Sequence, residues 1–236
     1  MTEKPGADAL LRSELAAKRI EAWRSHLLQL SSGSLSNIDE PSFLGREMRA
    51  AATIAAMAEL EALLRDMLID IGQRINVAAL EVRELMPSLR ALASHSSFES
   101  LSGTADREKM WSQRLELTQL EASRSIAHMP TRQKRSPQPP LDGRTIQSRH
   151  IYLVWKVLGL GEAIPEASVV ASLKKLTQIR NDVAHRNIDI AQVFSEAGRT
   201  AREIAGHLDD IVLLVIHVGN EWADYIDGER FRVVNA

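Results

Sequence analysis

The chain has 236 residues, 44% hydrophobic and 25% charged, with Lys+Arg 29 against Asp+Glu 31 and no Cys. Such proportions belong to an ordinary globular chain able to bury a core, and a formal charge of -2 excludes the global basic field of a protein that coats nucleic acid, so any contact with phosphate must be local. The lack of Cys excludes disulfide staples and thiolate metal sites, and aromatics at 4% with few alternating β-branched runs argue against a sheet.

Ala7 to Leu30 is rich in Ala, Leu, Glu, Arg and Lys with no internal Gly or Pro, which predicts a helix ended by Ser31-Ser32-Gly33-Ser34. Asp39-Glu40-Pro41 reads as the next helix start, with acids at the positive end of the dipole. From Ser42 to Ile75, the residues Met57, Leu60, Leu64, Met67, Leu68, Ile71 and Ile75 share one face, with Glu61 at its edge. Val77 to Ala93 and Asp106 to His128 are helical in composition, split by the Ser/Gly stretch Ser94 to Thr104, in which Thr104 is a candidate N-cap.

The texture changes from Met129 to Gly143, where Pro130, Pro137, Pro139 and Pro140 alternate with Arg132, Lys134 and Arg135, a pattern that predicts an exposed connector. Helix is expected again from Arg144 to Leu158, broken at Gly159-Leu160-Gly161, then from near Pro165 to His185. A last helix is expected from Ser195 to Tyr225. It carries Ile204, Leu208, Ile211, Val215, Val218 and Trp222 on one side and Glu203, His207, Asp210 and His217 on the other. The chain thus reads as one all-α domain over residues 1–236, with 77–140 a helical insertion ending in a Pro-rich basic loop. Met1 to Gly6 lacks the apolar core of a signal peptide and Ile211 to Ile216 is too short to span a bilayer, so a cytoplasmic location without a membrane partner is expected.

Chemistry concentrates at Arg180-Asn181-Asp182-Val183-Ala184-His185. Val169, Leu173 and Leu176 form a helical stripe whose continuation lands on Arg180 and Val183, so a guanidinium stands where an apolar side chain is expected and needs a partner, a wet cavity or an anionic ligand. Arg180 and His185 project about 140° apart on a straight helix, whereas Asn181 and His185 share a face. A shared site therefore requires the helix to end near His185 or a second copy to supply its own pair. Such a trio suits RNA cleavage without metal, the His moving a proton and the Arg fork holding a phosphate, with Asn181 orienting either. The bland reading pairs Arg180 with an acid such as Glu61 and leaves His185 as a helix-terminal cation.

Other clusters read as weaker. Arg132, Lys134 and Arg135, with Arg144 and Arg149 downstream, are candidates to track an RNA backbone, although such runs are usually solvated and this one has no aromatic to stack a base. The acid and His face of the last helix lies opposite a fully apolar face, which predicts exposure to solvent rather than a metal site, and no metal or cofactor is expected. Trp23, Trp111, Trp155 and Trp222 read as core or interface anchors.

The string from Leu173 to His185, apolar positions followed by Arg180-Asn181 and then Ala184-His185, resembles the signature of the HEPN superfamily, and within it the RiboL-PSP-HEPN group. The resemblance covers about Glu166 to Asn187, more loosely Ser42 to Ile75, Ile151 to Leu160 and the last helix, and not the N-terminal helix or Val77 to Pro140. It implies a HEPN-type helical bundle, here with an additional N-terminal helix and an inserted helical region. It also implies a homodimer whose facing Arg/His pairs form a metal-independent endoribonuclease site, as in toxin, abortive-infection and other defence systems, with an antitoxin encoded nearby. Arg180 and His185 match the defining positions and Asn181 the adjacent polar one, with Glu61 a candidate supporting residue. Some members of the family bind RNA or a partner protein without cutting, which sets the alternative expectation of a non-catalytic HEPN-like module.

Overall fold

The structure, a computed structural model, describes residues 5–35, 38–103, 106–130, 145–185 and 189–233. Among them are the helices α1 (Ala7–Ser31), α2 (Phe43–Ala78), α3 (Pro87–Ala93), α4 (His95–Gly103), α5 (Arg107–Thr118), α6 (Ser148–Leu158), α7 (Ala167–His185), α8 (Ile190–Val193) and α9 (Ala201–Asp227). No strand occurs among the described residues, only two isolated antiparallel bridges, Glu81 to Ile126 and Leu85 to Arg232. The protein is an all-α helical bundle, and no described helix is long and apolar enough to cross a membrane.

The two longest helices make the centre. α2 buries Met57, Leu60, Leu64, Met67, Ile71 and Ile75, and α9 buries Ile204, Leu208, Ile211, Val215, Val218 and Trp222, both as the 3.6-residue periodicity predicts. They pack on each other, and each also packs on α1 and on α7, so the central pair is flanked by one helix on either side. The α1 contact is unusually close because small residues meet there: Ala9, Ser13, Ala16 and Ala17 are buried, and a Cβ added to Gly219 would lie 2.0 Å from Ser13 Oγ. At the end of this pair the Gly6 amide donates to Asp227 Oδ1 at 2.8 Å. On the other side α6 packs on α7 and on α3, with its Val154, Trp155 and Leu158 fully buried.

Several boundaries depart from the sequence expectation for identifiable reasons. The α2 helix starts after Ser42, whose side chain accepts from the Gly45 amide at 3.1 Å, so Asp39, Glu40 and Pro41 lie outside it. Helix does not continue over Val77 to Ala93: Ala79 takes a left-handed conformation with φ 47°, a 3-10 turn covers Val82–Glu84, and helix resumes at Pro87. Within the Ser/Gly stretch lies α4; Thr104 is outside the described residues, and the observed cap of α5 is Asp106, accepting from Glu108 and Lys109 amides. The expected helix to His128 ends at Thr118, after which a 3-10 turn covers Leu120–Ala122 and an extended stretch pairs beside Leu80. The last helix starts at Ala201 rather than Ser195, because Thr200 and Glu203 close a capping box there.

Candidate functional site

The α7 helix presents a buried face made of Val169, Ser172, Leu173, Leu176, Thr177 and Ile179. The core residue of its penultimate turn is therefore Ile179, and Arg180 lies at the margin of the buried stripe, half-buried. Among the described residues Arg180 has no hydrogen-bond or ion-pair partner. Helix ends at His185: Asp189 is already extended, with ψ 136°, and caps α8 by accepting from the Ala191 amide at 3.0 Å. The His185 side chain and residues 186–188 lie outside the described residues.

The motif's other polar residues are anchors. Asn181 Oδ1 accepts from Thr145 Oγ1 at 2.7 Å, and one turn earlier Thr177 Oγ1 donates to the Ile146 carbonyl at 2.8 Å. The segment that follows the basic loop in sequence is thus tied along α7 at the motif. Asp182 accepts from Arg199 Nη2 at 2.8 Å, and this guanidinium is fully buried. Arg199 also pairs with Glu196 at 2.6 Å and donates to the Val193 carbonyl at 2.9 Å.

The chain of contacts continues into α2 and α9. The Arg199 carbonyl accepts from Arg49 Nη1 at 2.9 Å; Arg49 is also buried, its guanidinium lying 4.6 Å over the Phe194 ring. Arg49 reaches the Glu40 carbonyl at 3.1 Å and its carboxylate at 3.5 Å, and Glu40 Oε1 accepts from the Ala201 amide at 2.6 Å, at the start of α9. Burial lowers the Arg49 pKa while the Glu40 charge opposes that shift, so the pair keeps a buried cation compensated. Neither arginine was singled out by pattern, since a lone Arg in a helix or loop gives no signal of its burial.

A groove of about 590 Å³ opens where α7 ends, lined by Glu47, Ala50, Ala51 and Ile54 of α2, Val183 and Ala184 of α7, and Ile190. Arg180 occupies the same helical stripe as Val183 and Ala184, one turn before them. Glu61 lies about two turns beyond Ile54, the last residue of α2 that lines this groove, roughly 10 Å along the helix, and its carboxylate accepts from Arg65 Nη2 at 2.9 Å. The acid that lines the groove is Glu47, exposed and unmarked in the sequence because it sits among other α2 surface charges. Arg132, Lys134, Arg135 and Arg144 are outside the described residues, and Arg149 Nε approaches His150 Nε2 at 3.3 Å.

The acidic and His face of α9 is not simply solvated, as α6 and α7 cover part of it. Ser172 Oγ lies 2.5 Å from Asp210 Oδ2 and 2.8 Å from His207 Nδ1. A hydroxyl has one proton to give, so Ser172 donates to Asp210 and accepts from His207, which therefore carries its proton on Nδ1. Serine is the hub here, unlike a nucleophilic triad in which the imidazole bridges the other two. Burial lowers the His207 pKa, partly opposed by Asp210. His217 stacks on Trp155 with ring centroids 6.0 Å apart and bonds the Glu162 carbonyl through Nε2 at 2.8 Å. No group of His, Asp and Glu able to hold a metal ion is found among the described residues. Trp155 and Trp222 are core residues and Trp23 is half-buried, but Trp111 is 65% exposed. Comparison of the chain with family models, curated proteins and solved structures yields no match.

Proposed function

We propose that the chain is a HEPN-type, metal-independent endoribonuclease that works as a homodimer, in the role of a toxin or defence effector held in check by an antitoxin encoded nearby. Arg180 binds the scissile phosphate and His185 takes the 2′-hydroxyl proton. The 2′-oxygen then attacks phosphorus as the bond to the 5′-oxygen breaks, the leaving oxygen takes a proton from water and His185 returns its own to solvent, giving a 2′,3′-cyclic phosphate. The observation that carries this reading is the end of α7 at His185 beside an open groove, with a half-buried Arg180 lacking any described partner on the stripe that forms one wall. Asn181 holds Thr145, the residue that follows the basic segment in sequence, against the motif.

The reading seats the second copy on the α2 wall of the groove. On α2, Leu44, Glu47, Ala51, Ile54 and Ala58 follow three-four spacing, the pattern of a helix–helix seam, and Leu44 and Ile54 are 54% and 42% exposed.

The test is cleavage of single-stranded RNA by the purified chain with a chelator present, beside Arg180→Ala and His185→Ala. Cleavage to cyclic-phosphate ends by the wild type, with a loss of at least a hundredfold in either variant, is the expected result; equal activity in all three, or none in the wild type, overturns the proposal.

A further inference from the structure

From the exposed tryptophan of α5 we propose a single-stranded RNA stacking platform formed by Trp111 and Arg114, with Arg107 beside them; the inference rests on the endoribonuclease reading for its ligand class. Three observations meet there. No residue of α5 is buried, so the helix adds nothing to the core, and among the described residues it packs on α4 and on the 3-10 turn Leu120–Ala122. Trp111 leaves 65% of its surface in solvent, an unusual cost for so large an apolar side chain unless something covers it. The Arg114 guanidinium lies 5.1 Å from the Trp111 ring centroid, in position for a cation–π contact that holds the indole in one orientation.

Charge selects the occupant. On the helical wheel Arg107 and Arg114 both lie within about 60° of Trp111 on one side, with Leu115 and Glu108 on the other. An indole with the Arg114 guanidinium over its ring and Arg107 on the same side of the helix matches a stacked base with its backbone on that side: the ring takes the base face and the arginines take the phosphates. An apolar protein helix would instead leave both guanidinium groups facing its nonpolar surface, with no carboxylate or phosphate to receive them.

Binding of a fluorescein-labelled octauridylate to the full chain is measured in the His185→Ala background, so that the probe is not consumed, with and without Trp111→Ala. Trp111→Ala is expected to weaken binding about tenfold or more, to leave the melting temperature unchanged, and to leave binding of a blunt RNA duplex unchanged. Arg114→Gln weakens binding less and flattens its salt dependence. Equal affinity with and without the tryptophan overturns the platform, as does self-association of the chain that Trp111→Ala abolishes. Cleavage by the unmodified chain is scored separately: binding that depends on Trp111 without any cleavage sinks the endoribonuclease alone, and cleavage with Trp111-independent binding sinks the platform alone.

Discussion

Asp182 is the motif residue whose removal the structure converts into a magnitude. Arg199 is fully buried and is held by Asp182 at 2.8 Å and by Glu196 at 2.6 Å, the latter side chain half in solvent. Asp182→Ala leaves the guanidinium with one exposed carboxylate and one carbonyl. A charge-assisted hydrogen bond contributes about 1.5–3 kcal/mol and the loss of a buried partner costs about 3–5 kcal/mol, so with Glu196 still present the cost is about 2–3 kcal/mol. For a chain of this size that is a fall in melting temperature of roughly 5–10 °C. Arg199→Met removes the charge along with its need for a partner, so adding Asp182→Ala to it costs less than about 1 kcal/mol. Thermal unfolding of the wild type, both single variants and the double variant closes the cycle. A melting temperature for Asp182→Ala within 2 °C of wild type, or full additivity in the cycle, would refute the reasoning.

Two further outcomes follow from the packing and the polar contacts. Gly219→Ala places a methyl 2.0 Å from Ser13 Oγ and is expected to destabilise by about 1–3 kcal/mol, with Ser13→Gly in the same chain recovering most of the loss; urea unfolding that shows no loss for Gly219→Ala contradicts the close α1 and α9 contact. Because burial holds the His207 pKa below its ordinary value of 6.5, the unfolded chain takes up the proton first. The stability contributed by the neutral imidazole is complete above about pH 6.5 and declines as the pH falls below it. Denaturation midpoints at pH 7.5 and 5.5 should therefore differ more for the wild type than for His207→Asn, and an equal difference would show that His207 is freely solvated.

Much of the helical frame was legible before any tertiary information. The apolar stripes of α2 and α9 are long enough for 3.6-residue periodicity to average over several turns, and both buried the expected residues except Leu68, which lies at the edge of the α2 stripe and is only partly buried. Short elements were not legible: Ala79 in a left-handed turn, the Val82–Glu84 turn and α4 depend on bridges and contacts remote in sequence, such as Glu81 with Ile126. Capping chemistry was misplaced by a few residues at α2 and α9, where several polar residues compete and only the local backbone angles select Ser42 and Thr200.

For the candidate site, the sequence by itself determined the string from Arg180 to His185 and the requirement that either the helix end near His185 or a second copy supply its own pair, because wheel geometry separates those two side chains whatever surrounds them. Tertiary structure alone decided that Ile179 is the core residue of that turn, that Asn181 and Asp182 are spoken for by Thr145 and Arg199, and that Glu47 rather than Glu61 lines the adjoining groove. The physical reason is the same in each case. Burial and pairing of a charge depend on which distant segments converge on it, and Arg49, Glu40, Asp182 and Arg199 are brought together from three parts of the chain only when α2, α7 and the start of α9 pack.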